Sequence, residues 1–146
     1  MILFIHIQDC GRLLYMGQNE WVHVNCALWS AEVYEETDGL LQKVYSAVAR
    51  GRKLRCDACG KPGATVGCCQ LDCNANFHFP CARRKNCAFV ESKKVFCSAH
   101  VAFADGRLLS KFDLEHRLCL DMESNKYIKK QWLAGLNHST ICILVG

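Results

Sequence analysis

Apolar positions along the chain fall into an N-terminal stretch, a cysteine-rich middle and a C-terminal stretch. From Gly11, "GRLLYMGQNEWVHVNCALWSAEVYEETDG" opens with an apolar run that predicts a strand over Leu13–Tyr15 and a turn at Gly17–Asn19. Ala27, Leu28 and Ala31 favour helix, and the pattern predicts one over roughly residues 25–35. Asp38-Gly39 predicts the turn that ends it. Residues 44–55, "VYSAVARGRKLR", fit a short helix or a loop. Near the other end, the alternate positions Leu114, His116, Leu118 and Leu120 predict a strand. Residues 125–136 predict a helix with Tyr127, Ile128, Trp132, Leu133 and Leu136 roughly on one face. "STICILVG" predicts a closing strand that stops at Gly146, as a truncated unit would. No long linker, repeat or low-complexity tract is present.

The middle of the chain is chemically unlike its flanks. "CDACGKPGATVGCCQLDCNANFHFPC", Cys56 to Cys81, holds six of the twelve cysteines and one histidine. Disulfides, metal binding and redox chemistry are the three uses for such a density. The N-terminus, "MILFIHIQDC", has a short apolar run interrupted by a histidine, with neither a basic leader nor an A-x-A-like cleavage site, so no signal peptide is expected. No apolar run approaches the roughly 20 residues of a membrane span. An intracellular chain with reduced thiols is the expectation, and it disfavours disulfides. "RCDAC" does not sit at a strand-to-helix turn of a redox fold. The formal charge is +4, and six thiolates with two dipositive ions would lower it by two, leaving a mildly basic protein.

Spacing then organises the thiols into metal-ligand pairs. Cys56/Cys59 is C-x2-C, Cys68/Cys73 has four residues between, His78/Cys81 is H-x2-C and Cys97/His100 is C-x2-H. A two-residue gap lets one tight turn put both side chains on one ion, with Zn–S near ~2.3 Å and Zn–N near ~2.0 Å. Eight ligands make two closed tetrahedra, which are structural because no position is left for water or substrate. Cys69 could replace Cys68 through a one-residue slip. Cys87, Cys119 and Cys142 read as small buried hydrophobes.

The ligand order, with histidine fifth, resembles a PHD finger rather than a ubiquitin-ligase RING, whose histidine comes fourth. The resemblance implies a cross-brace in which alternate pairs share a metal: Cys56, Cys59, His78 and Cys81 on one zinc, Cys68, Cys73, Cys97 and His100 on the other. "GRLLYMGQNEWVHVNCALWSAEVYEE", "GATVGCC" and "FHFPCAR" further resemble the extended PHD finger of trithorax/MLL-type histone methyltransferases, over Gly11 to about His100. The tail "FDLEHRLCLDMES…WLAGL…ILVG" is similar to the lead-in to that family's FYRN region. The expected fold is therefore a small α+β zinc-stabilised domain, a cross-brace PHD finger with a pre-PHD helix/strand module. The expected organisation is an atypical segment 1–10, a truncated pre-PHD zinc knuckle 11–50, a PHD-type finger 51–103 and a truncated FYRN-like lead-in 104–146.

In the family an upstream C-x2-C joins an H-x2-C pair in a third zinc site. Here His23 and Cys26 supply the H-x2-C, but only Cys10 precedes them. The first ten residues read as a replacement of the family's upstream sequence. His23 and Cys26 are then core residues or half of an orphaned site, and His6 with Cys10 is a rival source of the missing pair.

The resemblance implies a nuclear chromatin protein whose full-length relatives methylate histone H3 lysine 4 through a SET domain. No SET-like sequence is present, so this polypeptide is expected not to be an enzyme by itself. A methyl-lysine reader needs an aromatic cage. The position two residues before the seventh ligand is Val95, and Phe77 reads as core, so a cage is disfavoured. Basic residues cluster at Arg50, Arg52, Lys53 and Arg55, at Arg83, Arg84 and Lys85, and at Lys93 and Lys94. They are either solvated faces or contacts to DNA phosphates and acidic chromatin surfaces. The expected function is a chromatin module that binds nucleosomal DNA or a histone tail; the alternative is a scaffold for subunits of a methyltransferase complex. No membrane partner and no small-molecule substrate are expected.

Overall fold

Leu13–Gly17 (β1) and Glu20–His23 (β2) form an antiparallel hairpin in which Leu14 faces Val22 and Tyr15 faces Trp21. Its turn residues, Gln18 and Asn19, both have positive φ, the geometry that suits the right-handed twist of paired strands. The computed structural model of the chain describes residues 13–110, 113 and 114, and the backbone of 141 and 142. Ile141–Cys142 (β9) pairs in parallel with β2, so an apolar stretch from the end of the chain completes a sheet begun near its start.

β2 runs directly into a helix, Val24–Leu28 (α1), whose five residues are all buried. The helix is much shorter than the one predicted over residues 25–35. Ser30 closes it: its N–H donates to the Ala27 carbonyl (3.0 Å) and its hydroxyl donates back to the Cys26 carbonyl (2.6 Å). Tyr34–Glu35 (β3) then pairs with Leu41–Gln42 (β4), so strand pairing overrides helix propensity there. Asp38-Gly39 turns this hairpin rather than ending a helix; the Asp38 carboxylate accepts the Leu40 N–H at 3.1 Å.

Val44–Gly51 is helical (α2) and buries Ala47, Val48 and Gly51. Between Arg52 and Phe103 lie two small antiparallel hairpins and two short helices. Val66–Gly67 (β5) pairs with Asn76–Phe77 (β6), and Ala88–Phe89 (β7) with Val95–Phe96 (β8). Phe79–Arg84 (α3) follows β6, and a 3-10 helix, Ser98–Phe103, follows β8.

Among the described residues, a hydrophobic cluster joins residues 13–50 to the cysteine-rich part. Leu14, Val22, Trp29 and Val48 pack with Ala64, Val66, Phe79 and Phe89. Trp29 meets Phe89 edge-on at 5.0 Å, and Phe89 meets Phe79 at 5.3 Å. Polar ties cross the same boundary. The Thr65 hydroxyl donates to the Cys26 carbonyl (2.7 Å), and the Lys93 ammonium reaches the carbonyls of Val33 and Ser30.

Asp113 and Leu114 are helical, where alternation predicted a strand beginning at Leu114. Ser110 and Asp113 explain the difference. The Ser110 hydroxyl accepts the Asp113 N–H (3.1 Å) and the Asp113 carboxylate accepts the Ser110 N–H (2.9 Å), a reciprocal cap that starts a helix. The rest of that predicted strand, the helix over 125–136, the remainder of "STICILVG" and the first twelve residues lie outside the described residues.

Candidate metal centre

Four turns carry the donor side chains. At the first, Cys56 donates its N–H to the Lys61 carbonyl (2.9 Å) and accepts the Gly60 N–H (2.7 Å), which curls Cys59 back beside Cys56. Gly60 sits at φ +75°, a conformation that disfavours side chains, so the turn depends on glycine. His78 is the residue before α3, and Cys81 lies on its first turn; Pro80 fits there because the opening N–H groups of a helix have no carbonyl to meet. Cys97 and His100 repeat the arrangement on the 3-10 helix, where residues three apart stack on one side. Cys68 and Cys73 leave and re-enter the β5–β6 hairpin, with the Cys68 N–H on the Ala75 carbonyl (3.0 Å).

These turns meet in two interleaved groups. The donor atoms of Cys56, Cys59, His78 and Cys81 all lie within 4.8 Å of one another, and so do those of Cys68, Cys73, Cys97 and His100. In the first group the His78 Nδ1 is 3.3 Å from the Cys59 sulfur and 3.7 Å from the Cys81 sulfur. In the second, the His100 Nδ1 is 3.2 Å from Cys97 and 3.7 Å from Cys68, with Cys73 and Cys97 sulfurs 4.0 Å apart. Tetrahedral zinc at normal bond lengths gives edges of about 3.5–3.8 Å, so both groups have the size of a zinc tetrahedron. His78 turns Nδ1 inward because Nε2 is 2.9 Å from the Pro62 carbonyl, to which an Nε2–H donates.

The electrostatics also ask for a cation. Burial pushes the Cys81 thiol up to about 12, and the neighbouring sulfurs of Cys56 and Cys59 push the same way. Burial also raises Cys68, but the N–H groups of Cys97 and Gln70 aimed at its sulfur outweigh that and hold it at about 7. Burial of Cys56 is likewise outweighed, by the N–H groups of His78, Cys59 and Ala58. Backbone donors thus prepare thiolates that cannot accumulate at such separations without a positive ion. Three soft sulfurs and one imidazole suit Zn2+, and with four donors each the two clusters are able to bind zinc as closed sites.

Residues 23–101 match the family described as the PHD-like zinc-binding domain. The chain belongs to that family. Among its relatives, human histone-lysine N-methyltransferase 2B is 52% identical over 142 residues, which is 95% of this chain and 5% of that protein. Trithorax from Drosophila melanogaster is 58% identical over 90 residues, 62% of this chain and 2% of that protein. Histone-lysine N-methyltransferase 2D from Mus musculus is 38% identical over 119 residues, 81% of this chain and 2% of that protein. The resemblance to trithorax/MLL-type methyltransferases therefore holds over most of the chain. The chain spans about one-twentieth or less of the length of these relatives.

The PHD-like architecture leaves other sequence candidates in varied places. Cys69 is exposed and Cys68 is the thiol in the cluster; Cys87 is buried, and burial raises it to about 12. His23 and Cys26 are buried at the β2–α1 junction and belong to neither cluster of described residues. His6 and Cys10 lie outside the described residues. Phe77, Phe79, Val95 and Phe96 are all in the core, so none of them forms an exposed cage wall.

Arg50, expected among the phosphate contacts, is part-exposed and tied into the fold. Its guanidinium grips both oxygens of Glu32 (2.7 and 3.0 Å) and the Thr65 carbonyl (2.8 Å), tying α2 to two other segments. Arg52 is exposed and pairs with Glu20 at 2.6 Å, and Arg55 is exposed beside the Gly60 carbonyl (3.0 Å). Lys53, Arg84 and Lys85 are exposed, Arg83 lies 5.8 Å above the Phe79 ring, and Lys94 pairs with Asp105 at 3.4 Å. The Arg50 fork and the Pro62 carbonyl behind His78 have no sequence signature, since both depend on contacts between distant segments.

Proposed function

We propose that the chain is a non-catalytic, zinc-folded chromatin-binding module of a trithorax-type histone methyltransferase, acting in the nucleus in transcription regulation. In this reading Cys56, Cys59, His78 and Cys81 ligate one zinc, and Cys68, Cys73, Cys97 and His100 the other. Residues 11–50 form the pre-PHD part, 51–103 the finger and 104–146 the lead-in to a following region. The observation that carries the reading is the division of labour among side chains. The eight clustered Cys and His donors gather in two groups, while Arg52, Lys53, Arg55, Arg84 and Lys85 stand on the surface outside them. Exposed bases beside a rigid zinc fold suit the phosphates of nucleosomal DNA.

The test is a salt titration of binding to a nucleosome-core DNA duplex. Affinity falls steeply with salt. Neutralising Lys53, Arg55 or Lys85 reduces the slope of log K against log salt by about 0.9 for every phosphate that the side chain had been neutralising. Salt-insensitive binding, or no binding at low salt by a zinc-loaded chain, defeats the DNA reading.

A further inference from the structure

β3 and β4 form a two-stranded sheet to which no third strand is added among the described residues. Its register sorts its side chains. Tyr34 faces Gln42 and Glu35 faces Leu41, and nearer the turn the Glu36 N–H donates to the Leu40 carbonyl (2.9 Å). Leu41 packs against the hydrophobic cluster, so its face of the hairpin looks inward. Alternation puts Tyr34, Glu36, Leu40 and Gln42 on the other face. Tyr34 is 48% exposed there and Leu40 36%. The same register leaves Glu35 at a position not bonded to β4, so its N–H and carbonyl point to the open edge.

The hairpin is held at its base and its tip. Val33, just before β3, is buried, and its carbonyl accepts from the Lys93 ammonium. At the tip, Gly39 has φ +84° and donates its N–H to the Glu36 carbonyl (2.9 Å). From Tyr34 to Gln42, "YEETDGLLQ", the chain carries three carboxylates and no base. Asp38 is turned onto the Leu40 N–H. Glu35 and Glu36 are exposed, and neither forms an ion pair among the described residues.

We propose that the outer face and open edge of this hairpin are a docking site for an extended, lysine- and arginine-rich peptide segment. The segment lies along β3 and meets the Glu35 N–H and carbonyl with its own backbone. Its cations face Glu35 and Glu36, and one of them rests on the Tyr34 ring. Duplex DNA is repelled by the same carboxylates. The proposal deepens the chromatin-module reading and rests on it for the source of the segment. The hairpin shares no residue with the bases assigned to DNA, so each site can fail without the other.

The probe is the peptide Ala-Arg-Ala-Lys-Ala-Arg-Ala-Lys, whose alternation sets every charge on one face of an extended chain. In the control every Arg and Lys is Gln. Amide NMR of the full zinc-loaded chain, titrated at physiological salt, reads place and affinity together. The expected result is saturable shifts centred on Glu35 and Glu36, with the Glu35 amide moving downfield as it gains an acceptor. The control binds about tenfold more weakly or not at all. Glu35→Gln/Glu36→Gln weakens binding by about fivefold or more, and Tyr34→Ala by about threefold. All three residues are exposed, and zinc content at wild-type level shows that each variant is folded. DNA affinity does not fall in either variant. Absence of shifts in the hairpin overturns the proposal, as do equal binding of both peptides and shifts of these amides by a DNA duplex. Loss in the double glutamine variant with none in Tyr34→Ala also overturns it, since the surface is then a patch of charge only.

Discussion

Gly51 closes α2 where that helix meets the cysteine-rich part, and alanine there sets two effects against each other. A Cβ at Gly51 would stand 2.6 Å from Cγ2 of Thr65. Thr65 is fully buried and its hydroxyl is committed to the Cys26 carbonyl, so the methyl cannot rotate away without breaking that bond. Helix propensity favours alanine by about 0.5–1 kcal/mol, and less at a helix end. Overpacking a filled site costs about 1–3 kcal/mol. The clash wins, and Gly51→Ala destabilises by about 1–2 kcal/mol, roughly a five- to thirtyfold shift in the folding ratio. Urea unfolding at fixed free zinc measures it, because zinc adds its own binding energy to the folded state. Thr65→Ser removes only the offending methyl and keeps the hydroxyl. In the double variant Gly51→Ala should then cost little, giving a coupling energy of about 1 kcal/mol or more. A neutral or stabilising Gly51→Ala, or additive single effects, would refute the packing argument.

Arg50→Ala removes the fork that joins Glu32 to the Thr65 carbonyl; with the arginine partly exposed, the loss in urea unfolding should be about 1 kcal/mol. Burial raises the Glu32 carboxyl, but Arg50 prevails and holds it below its usual 4.5. Its contribution is therefore complete above about pH 4.5 and fades as pH falls through the lower folded value, and Arg50→Ala should flatten that acid limb. In the metal-free fold, the Cys68 contribution is present above the ordinary thiol value of 9 and lost as pH falls through about 7, while that of Cys81 is present below 9 and lost as pH rises towards about 12. Zinc uptake followed with an indicator dye should thus release fewer protons at about pH 8 than at about pH 6, because Cys68 ionises beforehand; constant release across that window would contradict it. Three of the four donors of the first cluster are buried, against one of four in the second, so a chelator should strip the second site first. Cadmium-113 NMR of the substituted chain, followed during chelation, would show whether the order is reversed.

Side-chain spacing was the legible part of this sequence. Short-range C-x2-C and H-x2-C pairs are fixed by a turn or one helical turn, so they survive any rearrangement of the surroundings. The strand at Leu13–Tyr15 and the turn at Gly17–Asn19 were legible for the same reason, since their chemistry is local. The helix over 25–35 was not, because its length is decided by the Ser30 back-bond and by pairing of Tyr34 with Gln42. β2 was missed because "EWVH" leads without a break into "VNCAL", and only the pairing with β1 marks where one ends. Leu114 misled through alternation, although Ser110 and Asp113 stood at capping-box spacing. The Arg50 pair was not legible either, because nothing local in a basic run shows a carboxylate eighteen residues away.

Such a density of thiols suggests that metal stands in for a hydrophobic core, as it does in very small domains. The structure argues for interdependence instead. Cys56, Cys81 and Cys97 are members of the hydrophobic cluster, and Cys68 and Cys73 pack against it. A zinc ion at either site therefore holds core residues in place, and the core in turn fixes the turns that aim the sulfurs. Residues 13–50 join this circuit through Trp29 on Phe89, Thr65 on the Cys26 carbonyl and the Arg50 fork. Cutting at residue 50 would bare the buried faces of Ala64, Val66 and Phe89 and sever α2 one residue before its end. The ligand turns from Cys56 to His100 thus take their support from residues 13–50 as well as from one another.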